Sequence, residues 1–344
     1  MAYLVMLSLV LASFAAAQQQ QGGACDPVRS MSLRESARGA FEKRQYDVAA
    51  RQFQQAFDAC PTQRDTLIEL SDAYVHRREF QQAIHTAQQF LELQPGSTPG
   101  RLALANAYFM AQRFTDALQI TNQVLKAESG QASALKLKGN CEYLLGNYAQ
   151  AEDTFIDLLD HHPNDEEGPY MLGRIYYQQS RIDHAMGQFE RVLKLNPQAY
   201  KAYDNLGLCY QAKGETDRAM RYFLTSIKLV EKDHPDYDLA YANLAEVLLE
   251  TGDAGKAYAA ASKAADRNPY SARNFYLGGK ALCKLEKIDL CMNWLERSAS
   301  LDANYPEPLY LLARVYSQLG KEEKSRQALE KFREIKAKTP ATKR

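Results

Sequence analysis

The chain has 344 residues, 46% of them hydrophobic and 24% charged, enough by length for two or three ordinary domains. Its 42 basic and 42 acidic residues cancel. That balance excludes a protein that holds nucleic acid through bulk charge.

Met1 to Ala17 carry no charged side chain, and the apolar stretch Leu4 to Leu11 is followed by Ala15, Ala16 and Ala17. An apolar core ahead of small residues reads as a secretory signal peptide, residues 1–17, cut after Ala17. An uncleaved membrane anchor is the alternative, since 17 residues lie at the lower limit for spanning a bilayer. Cys25 lies well past the apolar core, which argues against a lipidated cysteine. Gln18 to Gly23 is polar and of low complexity, so residues 18–29 read as a flexible spacer.

From there a single motif recurs. Between Tyr203 and Leu229, the residues Tyr203, Leu206, Gly207 and Tyr210 fall at helical spacing, Gly214 marks a turn, and Ala219, Phe223 and Ile227 resume the spacing on a second helix. Equivalent units are marked by Leu33, Leu67, Arg101, Leu135, Pro169 and Tyr203 at a constant step of 34 residues. Three looser units follow at Tyr241, Asn274 and Leu309, which makes nine helix hairpins over residues 30–337.

The eighth position of the unit is always small: Ala37, Ser71, Ala105, Gly139, Gly173, Gly207, Ala245, Gly278 and Ala313. Small residues there let the two helices of a hairpin approach closely. Pro61, Pro95, Pro163, Pro197 and Pro269 end units, because proline cannot continue a helix. Lys138 and Glu142 stand where the other units carry core residues. Between the sixth and seventh units the step grows to 38 residues, with Asp233, His234, Pro235 and Asp236 predicting a longer loop. The last second helix is charged, as a terminal cap facing water requires, and residues 338–344 form a basic tail.

This pattern resembles the tetratricopeptide repeat family over most of the chain. The resemblance implies an all-α, right-handed superhelical solenoid of antiparallel helix pairs, with a concave groove on the first helices that takes peptides or partner segments. In the third to fifth units that face holds Asn106, Phe109, Lys136, Asn140, Tyr143, Tyr170, Arg174 and Tyr177. Phe109, Tyr143 and Tyr177 would form one ladder, and Asn106, Asn140 and Arg174 another. Asparagine can bond an extended backbone and aromatics supply contact area. Three units would cover roughly six to nine extended residues, at ~3.3 Å per residue and ~10 Å between neighbouring helices. Lys136 and Arg174 predict a partner segment with some negative charge beside its apolar side chains.

Cys25 precedes the first helix and Cys60 ends its hairpin, while Cys283 and Cys291 face each other across a short turn. Both pairs are disulfide candidates, and Cys141 and Cys209 read as small core residues. No phosphate-cradling glycine loop, metalloprotease helix or nucleophile elbow occurs in the sequence, so no catalytic role, metal or cofactor is expected. His161 and His162 with Asp160 and Asp165 read as a solvated loop instead of a metal site. The expectation is an exported (periplasmic or secreted), non-catalytic scaffold that binds a protein or peptide partner, with no nucleic acid and no integral membrane span after cleavage. A self-associating structural component of an envelope complex, a homo-oligomer, is the alternative.

Overall fold

The computed structural model describes residues 25–338. The expected signal peptide, the spacer up to residue 24 and the tail from residue 339 lie outside the described residues. The described chain is all α-helix, in nine consecutive pairs. It divides into two compact units, one ending at Gly168 and the other beginning at Pro169.

The first unit contains α1 (Pro27–Glu42), α2 (Tyr46–Ala59), α3 (Thr66–His76), α4 (Phe80–Leu93), α5 (Thr98–Met110), α6 (Phe114–Ala127), α7 (Ala132–Leu144) and α8 (Tyr148–His161). The second holds α9 (Glu167–Gln178, whose first turn carries the boundary), α10 (Ile182–Leu195), α11 (Tyr200–Ala212), α12 (Thr216–Asp233), α13 (Leu239–Glu250), α14 (Ala254–Arg267), α15 (Ala272–Lys284), α16 (Ile288–Leu301), α17 (Pro306–Gln318) and α18 (Glu322–Lys338). The first helix starts a little before the expected Ser30. Asp26 caps it by accepting a hydrogen bond from the Arg29 amide at 2.9 Å, and Pro27 supplies the fixed φ of a first helical position.

Within each unit the hairpins stack on a continuous apolar core, since no hairpin can bury its inner face alone. In the first unit Phe53, Leu67, Leu70 and Phe90 are buried together. In the second, Phe223, Tyr241, Leu244 and Leu277 form one cluster and Leu295, Leu312 and Tyr316 another. The small eighth position seats a side chain from the second helix of its own hairpin. A methyl group on Gly207 would lie 2.4 Å from Phe223, and one on Gly278 would lie 2.2 Å from Trp294. Gly139 and Gly173 face Phe155 and Phe189 in the same way. Glycine therefore appears where the second helix offers a ring at that place, whereas Ser71, Ala105 and Ala245 stand opposite Ala87, Thr121 and Ala261; Ala37 with Phe53 is the exception. The Ser71 hydroxyl also donates across the hairpin to the Ala83 carbonyl at 2.9 Å.

All nine hairpin turns use one residue with positive φ, and only four of these are glycine: Gly146, Gly214, Gly252 and Gly320. Arg44, Arg78, Gln112, Ser180 and Glu286 adopt the same left-handed conformation, which disfavours a Cβ by roughly 1–2 kcal/mol. In eight of the nine turns the amide after the turn residue closes the helix end, as where Glu215 donates to the Tyr210 carbonyl at 2.9 Å and Arg113 to Tyr108 at 2.8 Å. Packing of the pair imposes the turn on whichever residue stands there.

The expected longer loop after the sixth unit is corrected by the structure. The second helices α2, α4, α6, α8, α10, α14 and α16 are 14 residues long, but α12 is 18. The extra residues of the lengthened step thus enter α12 as another helical turn. Glu142, one of the departures from the repeat pattern, is buried and accepts a hydrogen bond from Thr154 at 2.7 Å, with Lys138 at 3.8 Å. Burial raises its pKa against the pull of those two partners.

Cys25 and Cys60 lie at disulfide-bonding distance, Cα to Cα 4.2 Å, as do Cys283 and Cys291 at 5.1 Å. Cys141 and Cys209 are free and buried. Paired cysteines fit an oxidising compartment. Among the described residues no helix is long and apolar enough to cross a membrane.

Candidate partner-binding groove

In the first unit, the first helices α3, α5 and α7 line a cavity of about 660 Å³. Four of the eight residues expected to contact a partner are in its wall: Asn106 and Phe109 from α5, and Lys136 and Asn140 from α7. Ile68 and Val75 from α3 and Leu102 from α5 supply apolar surface beside them. Helical spacing places Leu102, Asn106 and Phe109 on one stripe of α5, which is why they share a face. Asn106 has no hydrogen-bond partner among the described residues, so its amide is open to a ligand.

The charges of this groove are largely matched internally. Lys136 lies 2.5 Å from Asp165 and 3.6 Å from Glu167. Burial works against the Lys136 ammonium, but the bonds to these carboxylates outweigh it and hold its pKa above the usual value. Asp165 also caps α9, accepting from the Glu167 and Gly168 amides at 2.9 and 3.0 Å, and Asn140 donates to Glu167 at 2.8 Å. At the other end, Arg34 and Arg38 each reach Glu69 at 2.5 Å. Asp165 and Glu167 thus already pair with Lys136 within the chain.

Phe109 packs on Phe114 and Tyr143 on Tyr148, each at 5.6 Å, and Phe41 packs on Tyr46 at 5.2 Å. In each case the partner opens the second helix of the same hairpin, so these rings brace their own turn. Tyr143 lies on α7 with Lys136 and Asn140.

Tyr170, Arg174 and Tyr177 belong to the second unit. Tyr170 and Arg174 line a cavity there of about 490 Å³, together with Lys201, Asp204 and Asn205 of α11, Tyr237 and Asn243, and Arg273 of α15. Tyr177 is half-buried, and burial raises its pKa. Asp204 is only 2% exposed. The Tyr237 hydroxyl donates to its Oδ2 at 2.7 Å and Asn243 Nδ2 to its Oδ1 at 2.9 Å. Arg273 in turn donates to Asn243 Oδ1 at 2.9 Å and pairs with Glu246 at 2.5 Å. Burial pushes the Asp204 carboxyl above the usual carboxylate range, opposed by its bonds from Tyr237 and Asn243 and by Arg273. Sequence reading missed this network because its members occupy different positions of different repeats. Their separations of 33, 39 and 30 residues, close to the repeat length, are the signal that could have found it.

At the histidine pair, His162 Nε2 lies 2.7 Å from the Gly130 carbonyl and His161 Nδ1 lies 3.0 Å from that of Asp157. Among the described residues, no three His, Cys, Asp or Glu side chains are grouped as a metal would need.

Five family profiles, all described as tetratricopeptide repeat, match residues 34–98 and 170–230, 77–141, 134–165, 239–262 and 306–339. The chain belongs to the tetratricopeptide repeat family. No curated protein matches it. Among solved structures, a tetratricopeptide repeat protein from Parabacteroides merdae ATCC 43184 is similar at 19% identity with a TM-score of 0.59, over 73% of this chain and 98% of that one. MamA is similar at 18% identity with a TM-score of 0.42, over 48% of this chain and 95% of its own. MamA 41-end from Desulfovibrio magneticus RS-1 gives 15% identity and 0.44, over 51% and 97%. Stretches of tetratricopeptide repeats generally serve as scaffolds for protein–protein contact, through surfaces that stacked helix pairs create. The stretch between residues 263 and 305 matches none of the five profiles; it holds the Cys283 and Cys291 pair and Trp294.

Proposed function

We propose that the chain is a non-catalytic scaffold of an oxidising, extracytoplasmic compartment, and that the groove of its first unit holds an extended segment of a protein partner. The observation that carries this reading is the cavity of about 660 Å³ on α3, α5 and α7, a size in the range of peptide and small-ligand sites. Its wall joins apolar area from Ile68, Leu102 and Phe109 to the open amide of Asn106. Such a surface takes an apolar side chain while bonding the neighbouring peptide group. Because Lys136 and Glu69 are neutralised within the chain, the preferred segment is apolar and carries little charge. The two cysteine pairs support the compartment.

The test is a random peptide display selected on the full chain and on an Asn106→Lys variant of equal helicity by circular dichroism. Asn106 makes no bond within the fold, so the variant obstructs the groove without disturbing the core. Apolar peptides enriched on the wild type and lost on the variant are expected. Equal enrichment on both proteins refutes the groove.

A further inference from the structure

The connection between α14 and α15 carries a residue that the repeat does not require. Tyr270 stands there with 80% of its surface exposed. In the loops that end the other units the same place holds glycine or a polar residue: Thr62, Gly96, Gly130, Asn164, Gln198, Asp236 and Asn304. An aromatic ring left in water contributes nothing to the core, since its apolar area stays unburied. Its backbone is nonetheless fixed, because the Tyr270 amide donates to Asn268 Oδ1 at 3.2 Å.

Tyr305 departs from the pattern in a related way. At that place Ser97, Gln131 and Ser271 each cap a first helix by accepting an amide hydrogen bond, whereas Tyr305 opens α17 without a side-chain cap. Both tyrosines fall in the stretch between residues 263 and 305 that matches none of the five profiles. With Arg273, Leu301 and Asp302 they line a cavity of about 490 Å³ in the second unit.

The polar groups of this cavity are held in place with capacity left over. Arg273 uses Nη2 for both of its bonds, to Asn243 Oδ1 at 2.9 Å and to Glu246 at 2.5 Å, so its other N–H groups have no partner among the described residues. Asp302 is exposed, and its Oδ1 accepts from the Asn304 amide at 2.8 Å, which directs the carboxylate and leaves the second oxygen open. Tyr305 packs edge-on against Tyr276 at 5.3 Å, which steadies its ring. Arg273 also lines the cavity that holds Tyr170 and Tyr237, and Tyr237 has the same place in its loop as Tyr305. Neighbouring first helices lie ~10 Å apart, so rings recur along this edge at about that interval.

We propose that this edge of the second unit binds a neutral oligosaccharide, one sugar ring lying on the exposed face of Tyr270 and its hydroxyls bonded to Asp302 and Arg273. The C–H groups on one face of a sugar carry slight positive charge and suit the negative face of an aromatic ring. Sugar hydroxyls both donate and accept, so a carboxylate oxygen beside guanidinium N–H groups satisfies them in pairs. Arg273 and Asp302 bring one charge of each sign to the wall, which gives neither an acidic nor a basic ligand the advantage. An apolar peptide side chain would use the ring but strip water from those polar groups without replacing its bonds. Groups fixed before a ligand arrives lose little freedom on binding it. This site is independent of the groove in the first unit, and either assignment can fail while the other holds.

A glycan array of neutral hexose and N-acetylhexosamine oligosaccharides, followed by calorimetry of the full chain with the best of them, tests the proposal. The Tyr270 side chain is exposed and makes no hydrogen bond among the described residues, so Tyr270→Ala and Tyr270→Phe keep the parent fold, which circular dichroism verifies. The wild type is expected to bind at least one neutral oligosaccharide, Tyr270→Ala to bind it about tenfold more weakly, and Tyr270→Phe to bind it as the parent does. Asp302→Asn removes the charge-assisted bond and weakens binding by about threefold. Asn106→Lys, which obstructs the other groove, leaves sugar binding unchanged. The proposal is overturned if no neutral oligosaccharide binds with a Kd below about 1 mM. It is equally overturned if Tyr270→Ala binds as tightly as the wild type, if Tyr270→Phe loses as much as Tyr270→Ala, or if the loss on Tyr270→Ala falls on displayed peptides instead of sugars.

Discussion

Replacing Gly207 by alanine isolates a close helix-to-helix contact in the second unit. The new methyl carbon would sit 2.4 Å from Phe223 Cε1 and 2.6 Å from its Cδ1, on a ring that is fully buried and has no room to yield. Overpacking of this kind costs about 1–3 kcal/mol, while alanine in place of glycine in a helix returns about 1 kcal/mol. The net loss expected is ~1 kcal/mol. In a Phe223→Leu background the ring is gone, so the same change becomes neutral or favourable. Gly187 on α10 has nothing within 4 Å of the added carbon, and Gly187→Ala is expected to stabilise by about 0.5–1 kcal/mol. Because repeat arrays unfold in parts, urea melts followed by circular dichroism should be joined to amide exchange in α11 and α12. If Gly207→Ala is as favourable as Gly187→Ala, or loses the same stability with and without the Phe223 ring, the close-approach argument is wrong.

Asp204 gives a pH prediction whose sign is fixed. Its carboxyl is raised from 3.8 in the fold by burial, so the folded state favours the proton. Stability from this group is present at low pH and is lost as pH rises from about 3.8 through the raised folded value. The stability of the wild type relative to Asp204→Asn should therefore fall as pH rises above about 4, and a rise instead would contradict the burial of the group. The thiols of Cys141 and Cys209 are pushed up to about 12 by burial. Both should resist alkylation at about pH 8 in the native protein and react once it is denatured, while peptide mapping without reductant recovers Cys25 linked to Cys60 and Cys283 linked to Cys291. Modification of Cys141 or Cys209 in the folded chain would show that these helices open on the time scale of the reaction.

The periodicity of the chain determined its architecture. Each hairpin buries the same face, so the same positions stay small or apolar at every step, and nine copies make the pattern unambiguous. Tertiary structure decided what lay between those positions. Five of the nine turn residues with positive φ are not glycine, so local preference could not mark Arg44, Arg78, Gln112, Ser180 or Glu286 as turns; the packed helix pair forces them. The extra turn of α12 could not be told from a loop, because Glu231, Lys232 and Asp233 are polar in either state. Asn106, Phe109, Lys136 and Asn140 could be placed on one face from helical spacing alone, but the neutral state of that face rests on Asp165 and Glu167 meeting Lys136 from the next repeat. The network around Asp204 joins residues 30 to 39 apart. Hydrophobic burial repeats with the backbone and is therefore written in the sequence at a fixed interval. A charge pair or hydrogen bond needs two particular side chains to meet within about 3 Å, and only the stacked helices bring them there.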